Sequence, residues 1–140
     1  MITIMIADDH AILRHGLEQL ITTTEDMTVT ASAADGQAIV AMVAADPPDI
    51  VLMDLSMPVM DGVEATRAII AAHPEVAVVV LTSFSDQRRV LDALDAGAVG
   101  YLLKDSDPET LLSALRSTAA GGAPLDPKAA RVLLSARDRP

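Results

Sequence analysis

Five short aliphatic runs, each followed by a stretch with helical spacing, leave this 140-residue chain few folds to adopt. Ile2-Thr3-Ile4-Met5-Ile6-Ala7 reads as a buried strand that stops at Asp8 and Asp9. Behind it, Leu13, Leu17, Leu20 and Ile21 fall on one helical face. Val29-Thr30-Ala31 predicts a weaker second strand, and Gly36 to Ala45 a second helix with Ile39, Met42 and Val43 inward. Asp49 to Asp54 is a third strand, introduced by Pro47-Pro48. A loop rich in Met, Pro and Gly then leads into a helix from about Gly62 to His73. Val76 to Leu81 contains no polar residue, so this strand is expected at the sheet centre, covered on both faces. Gln87 to Ala96 reads as a helix and Val99 to Leu103 as the fifth strand. Asp107 is placed to cap a fifth helix whose first position is Pro108.

Strands alternating with helices imply a parallel sheet covered by helices on both sides, because each crossover is right-handed and buries one face. Ligands of such sheets gather at the carboxyl ends of the strands. The first strand ends in Asp8-Asp9, the third in Asp54, the fourth in Thr82-Ser83 and the fifth at Lys104. Of the opposite ends, only that of the third strand carries such a group, Asp49. The chemistry lies at one edge.

Composition narrows what that edge can do. Acidic residues number 20 against 10 basic ones, a net charge of −10, which disfavours a broad grip on phosphate backbones. One Tyr, one Phe and no Trp leave no stacking platform for single-stranded nucleic acid. With no cysteine, disulfides, thiolate metal sites and Cys nucleophiles are excluded. No window approaches the roughly 20 apolar residues of a membrane span, and the start lacks a signal peptide's basic end. A cytoplasmic protein that does not itself bind nucleic acid or membrane is expected.

Converging carboxylates repel one another and call for a counter-charge. A hard divalent cation with oxygen ligands, Mg²⁺ above all, fits Asp8, Asp9 and Asp54, with Mn²⁺ as a substitute. Lys104 adds a point charge and Thr82 a hydroxyl donor. Such a cage suits an acyl phosphate on one Asp, since phosphoryl transfer depends on alignment and neutralisation. Asp54 is assigned as nucleophile, Asp9 as metal ligand, Asp8 as ligand or water-mediated support, and Thr82 and Lys104 as stabilisers of the added group. Each residue taken singly has a plainer role. Asp9 could cap the first helix, Thr82 pack at a strand end, Lys104 be a solvated charge and Asp54 cap a turn. Their coincidence at one edge is what favours chemistry.

These residues resemble the motifs of response-regulator receiver domains, of the NarL/LuxR type. Asp8-Asp9-His10-Ala11-Ile12-Leu13-Arg14-His15-Gly16-Leu17 resembles the subgroup's opening signature, and Asp54-Leu55-Ser56-Met57-Pro58-Val59-Met60-Asp61-Gly62 its phosphoacceptor loop. Leu81-Thr82-Ser83 and Gly100-Tyr101-Leu102-Leu103-Lys104 match the remaining signatures, and the similarity covers about residues 1–121. The resemblance implies a flavodoxin-like (βα)5 three-layer sandwich with a five-stranded parallel sheet of order 2-1-3-4-5. It implies a phosphorylation-dependent switch of a two-component system, with Asp54 phosphorylated by a sensor histidine kinase or small acyl phosphates. Metal would be held by Asp9, Asp54 and the Ser56 carbonyl, with Asp8 acting mainly through water. Thr82 and Tyr101 would form the switch, the ring following the hydroxyl inward. Ser56 and Phe84 would tune access of water to the phosphoryl group, and His10 would sit at the site rim. The family often carries Pro after the Lys; here Asp105 stands there, so no cis bond is expected.

Such a domain is a signalling protein whose only catalysis is its own phosphorylation and dephosphorylation. Its fourth and fifth helices and fifth strand would form a surface that favours homodimers once phosphorylated. Residues 122–140, with a short helix after Asp126-Pro127 carrying Val132, Leu133 and Leu134, read as a linker toward a helix-turn-helix output domain absent from this chain. Control of transcription would run through that domain. A phosphohydrolase of the haloacid dehalogenase type needs an acid/base Asp two positions after its nucleophile. Ser56 stands there instead. A receiver that has lost its chemistry and acts only as a binding module is disfavoured, because every required side chain is present.

Overall fold

Strands with apolar side chains on both faces must be covered twice, and the helices are shared out accordingly. The computed structural model describes residues 1–83 and 87–122. Along them run β1 (Ile2–Ala7), α1 (Ala11–Thr22), β2 (Met27–Ala33), α2 (Gly36–Ala45), β3 (Ile50–Asp54), α3 (Gly62–Ala72), β4 (Ala77–Thr82), α4 (Gln87–Asp95), β5 (Gly100–Leu103) and α5 (Pro108–Ala119). All strand pairs are parallel, in the order β2-β1-β3-β4-β5. The expected flavodoxin-like sandwich is the observed one.

Alternation along each strand sorts side chains between two cores. On one face Met5, Val51, Met53, Val78, Val80 and Tyr101 pack with Ile39 and Val43 of α2, Ala65 and Ile69 of α3, and Val90 and Ala93 of α4. On the other, Ile4, Ile6, Ile50, Leu52, Val79, Leu81 and Leu102 meet Leu17 and Ile21 of α1 and Leu111 and Leu115 of α5. Every residue of β3 is buried, and all but the first of β4. This explains why neither run could accept a polar residue before its end. Among the described residues no helix is long and apolar enough to cross a membrane.

Side-chain caps fix where helices start. Asp35 accepts from Ala38 N at 2.8 Å, Asp61 from Glu64 N at 2.9 Å and Asp107 from Thr110 N at 3.2 Å. Helix α1 begins otherwise: its N-cap is His10, with no side-chain cap. Asp9 is therefore not spent as a cap. At the far edge Asp49 clips β1, accepting from Thr3 N at 2.9 Å and Thr3 Oγ1 at 3.1 Å. Its role is structural.

Strand β2 is longer than the predicted Val29–Ala31, running from Met27 to Ala33. Its interior side chains are partly buried or, at Thr30, exposed, as befits an edge strand, and hydropathy therefore undercounts it. The predicted helix after Asp126 and the ring of Phe84 lie outside the described residues. The Lys104–Asp105 peptide is trans.

The loop between β3 and α3 carries local strain. Val59 holds φ at 69° with its side chain exposed, in the left-handed region that a β-branched residue disfavours. Left-handed backbone costs an L residue roughly 1–2 kcal/mol, and a glycine's extra chain entropy takes back about half. Val59→Gly should therefore raise stability by about 0.5–1 kcal/mol, measured by urea unfolding. A loss of stability would contradict this loop conformation.

Candidate functional site

The carboxyl edge gathers side chains from four strands. Asp8 follows β1 directly and is fully buried, and Asp54 closes β3 at 2 % exposure. Thr82 closes β4, and Lys104 follows β5, its amide donating to Thr82 O at 2.8 Å. That bond extends the ladder by one residue and turns the Lys104 ammonium toward Asp54: Nζ lies 2.9 Å from Asp54 Oδ1. Lys104 is thus not a solvated charge.

The second oxygens of the two buried carboxylates are left over. Asp8 Oδ1 accepts from His10 N at 2.8 Å, but Asp8 Oδ2 and Asp54 Oδ2 have no hydrogen-bond partner among the described residues. Buried acceptors in this condition cost free energy unless something electropositive meets them. One donor atom from each of Asp8, Asp9, His10 and Asp54 lies within 4.8 Å of the others. Orphaned carboxylate oxygens beside a half-exposed third carboxylate, Asp9, are the donor set of a hard divalent cation. The residues fit Mg²⁺.

Electrostatics agree with that need. Burial pushes the Asp54 carboxyl above its ordinary value of 3.8, the Lys104 hydrogen bond pulls it partly back, and the negative charge of Asp8 raises it again. A carboxyl raised in the folded state binds protons there that the unfolded chain has released. Stability is therefore lost as pH climbs from about the ordinary value through the raised one. Asn in its place keeps the shape and an acceptor for Lys104 but does not titrate. In chelator at pH 7, Asp54→Asn should be the more stable protein by about 1 kcal/mol. The gap should close as pH falls toward 4 and reverse in saturating Mg²⁺, as chemical denaturation across pH would reveal.

Ser56 sits over the carboxylate, its amide donating to Asp54 Oδ1 at 3.4 Å, so Asp54 also makes the turn contact that the sequence permitted. The Thr82 hydroxyl donates to Ser83 O at 3.2 Å, and no hydrogen bond joins it to Asp54. Tyr101 is buried at 2 %, its ring among the side chains facing α4. His10, expected at the rim, is exposed there, with Nδ1 3.3 Å from both Asp8 Oδ1 and Asp9 Oδ1.

Two arginines to which the sequence assigned no role join the site. Arg14 Nη1 donates to Asp8 O at 2.6 Å from one turn into α1. Arg89 of α4 donates to Ser56 Oγ and to Leu55 O, both at 2.6 Å. The available signal was positional: α1 and α4 both start at the carboxyl edge of the sheet.

Known proteins resemble this chain. The family profile of the response regulator receiver domain matches residues 4–116. The uncharacterized transcriptional regulatory protein YxjL of Bacillus subtilis is 43 % identical over 122 residues, covering 87 % of this chain and 56 % of YxjL. Transcriptional regulatory protein DegU of Brevibacillus brevis is 40 % identical over 133 residues, 95 % of this chain and 56 % of DegU. The chain spans just over half the length of these relatives. A crystal structure of a LuxR-family two-component response regulator from Aurantimonas superposes with a TM-score of 0.89 at 35 % identity, over 98 % of each chain.

Proposed function

Since this chain belongs to the response regulator receiver family, with relatives of the NarL/LuxR type, we propose that it is a phosphorylation-operated switch whose nucleophile is Asp54. One observation carries the reading. Asp54 is a buried carboxylate with one oxygen bound by Lys104 at 2.9 Å and the other unpartnered, beside a second buried carboxylate. One oxygen is held while the other is free to form a bond.

In the reaction a carboxylate oxygen of Asp54 bonds to phosphorus as the bond to the donor breaks. The donor is a phosphohistidine of a sensor kinase, or acetyl phosphate, and it leaves with the electron pair and takes up a proton where it needs one. Lys104 is placed to follow the charge from carboxylate to phosphoryl oxygen, a contact that strengthens as charge accumulates. Asp8, Asp9, Asp54 and the Ser56 carbonyl would hold Mg²⁺, or Mn²⁺ in its place, which neutralises phosphoryl oxygens when bound. The Thr82 hydroxyl must leave the Ser83 carbonyl to donate to the new group, and the Tyr101 ring would answer it from its buried position. The domain's catalysis is confined to its own phosphorylation and dephosphorylation.

The output follows from differential affinity: a partner shifts the switch only if it binds the two states unequally. The proposed surface is α4, β5 and α5, on which a phosphorylated copy pairs with a second. Residues 1–121 act as the receiver, and 122–140 connect it to a helix-turn-helix unit outside this sequence that governs transcription in the cytoplasm. Support for that last step comes from relatives that are transcriptional regulators, of whose length the match covers 56 %.

Intact-mass measurement after exposure to acetyl phosphate tests the reading. One phosphoryl group, stable in acid and labile in base, should appear with Mg²⁺ and not with chelator. No uptake in Mg²⁺ would reject it.

A further inference from the structure

The loop between β3 and α3 runs from Leu55 to Asp61, and a single side chain from another element holds both of its ends. Arg89, in the first turn of α4, donates through Nη2 to Leu55 O and through Nη1 to Ser56 Oγ, each at 2.6 Å. The same Nη2 lies 3.6 Å from Asp61 Oδ2, at the loop's far end. Leu55 O also accepts from Gly62 N at 3.1 Å, so the carbonyl is held by two donors, one just past the loop's far end and one from α4. Ser56 is the residue whose amide faces Asp54.

We propose that Arg89 is a positioning residue for the cation: by clamping the 55–61 loop it presets Ser56 over Asp54, and so sets how tightly Mg²⁺ binds. This rests on the metal and nucleophile roles given under Proposed function. The planar guanidinium is suited to the task because two of its nitrogens meet two acceptors in a fixed fork, whereas an ammonium presents all its donors from a single nitrogen on a flexible stem. The loop needs such a clamp. It contains a Val in left-handed backbone, and without an external hold its strained conformation would have to be ordered by the cation itself.

Charge and geometry act in opposite directions on the cation, which makes the proposal testable. Removing a positive charge near the site would tighten Mg²⁺ binding, while releasing the loop would weaken it. Arg89→Lys keeps the charge and loses the fork, so geometry alone is read. Titration calorimetry of Mg²⁺ into the full chain at fixed ionic strength should show Arg89→Lys binding about tenfold more weakly, the scale on which residues supporting a metal ligand act. In acetyl phosphate uptake the cost should appear as a similar rise in half-saturating Mg²⁺, with the rate at saturating Mg²⁺ changing far less. Arg89→Gln, which drops both charge and fork, should bind less weakly than Arg89→Lys. Melting in chelator by circular dichroism confirms that each variant is folded. Unchanged Mg²⁺ affinity in a folded Arg89→Lys protein would overturn the role of Arg89 alone. A native chain that binds no Mg²⁺ would overturn the reading of the site and this inference with it.

Discussion

Asp54→Asn is expected to gain no phosphoryl group from acetyl phosphate in Mg²⁺ under conditions that load the native chain fully. The substitution is close to isosteric, and Asn retains an oxygen that can accept the Lys104 ammonium now 2.9 Å from Asp54. What disappears is the anionic oxygen able to form a mixed anhydride with phosphorus. The neighbours do not take over. Asp8 is fully buried and its backbone is held at both ends, its amide on Ala33 O at 3.0 Å and its carbonyl by Arg14 at 2.6 Å. Asp9 is more open, with its side chain at 36 % exposure, but Lys104 contacts Asp54 and not Asp9. Intact mass and peptide mapping decide the matter. Residual uptake mapping to Asp9 would move the nucleophile to β1, and uptake at the native level would remove Asp54 from the chemistry.

The largest effect on folding is expected at Gly62, the first residue of α3. A Cβ there would run into the carbonyl oxygen of Asp54 and stand 2.8 Å from Leu55 Cα. Both obstacles are backbone of a buried strand end, which cannot swing aside as a flexible side chain would. Gly62 cannot retreat either, because its amide donates to Leu55 O at 3.1 Å and its carbonyl accepts from Thr66 Oγ1 at 2.7 Å. Gly62→Ala should therefore cost about 3 kcal/mol, at the upper end of what overpacking does. Gly16→Ala is the internal control: nothing lies within 4 Å of a Cβ built there, inside α1. Helix propensity alone then applies, and that protein should be more stable by up to about 1 kcal/mol. Urea midpoints of the two variants should move in opposite directions. If both moved alike, the close approach of α3 to β3 would be wrong.

Legibility of this molecule in its sequence followed the physics of burial. Strands β3 and β4 were plain because both faces are covered and every position before the end had to be apolar. β2 was underestimated because Thr28, Thr30 and Ser32 dilute its hydropathy, whereas its register against β1 comes from backbone pairing that leaves no hydropathic trace. At the site, Asp8, Asp54, Thr82 and Lys104 were found by a topological rule: parallel strands end together, so polar residues just past apolar runs meet. The plainer roles of Asp9 and Lys104 needed coordinates to set aside, through the uncapped start of α1 and the Lys104–Asp54 contact. Arg14 and Arg89 escaped notice for a different reason. Their head groups act far from their own backbone, Arg89 on residues 33 and 34 positions away, and no periodicity records where a long side chain lands.

The placement of Tyr101 has a practical consequence. The chain has one tyrosine and no tryptophan, and that single phenol is packed in the core facing α4, three residues before Lys104. Emission excited above the phenylalanine band, and the dichroism of the tyrosine band, consequently report on one ring in that core. Any rearrangement of the packing around that ring can be followed in unlabelled protein, in real time, without a reporter group being introduced.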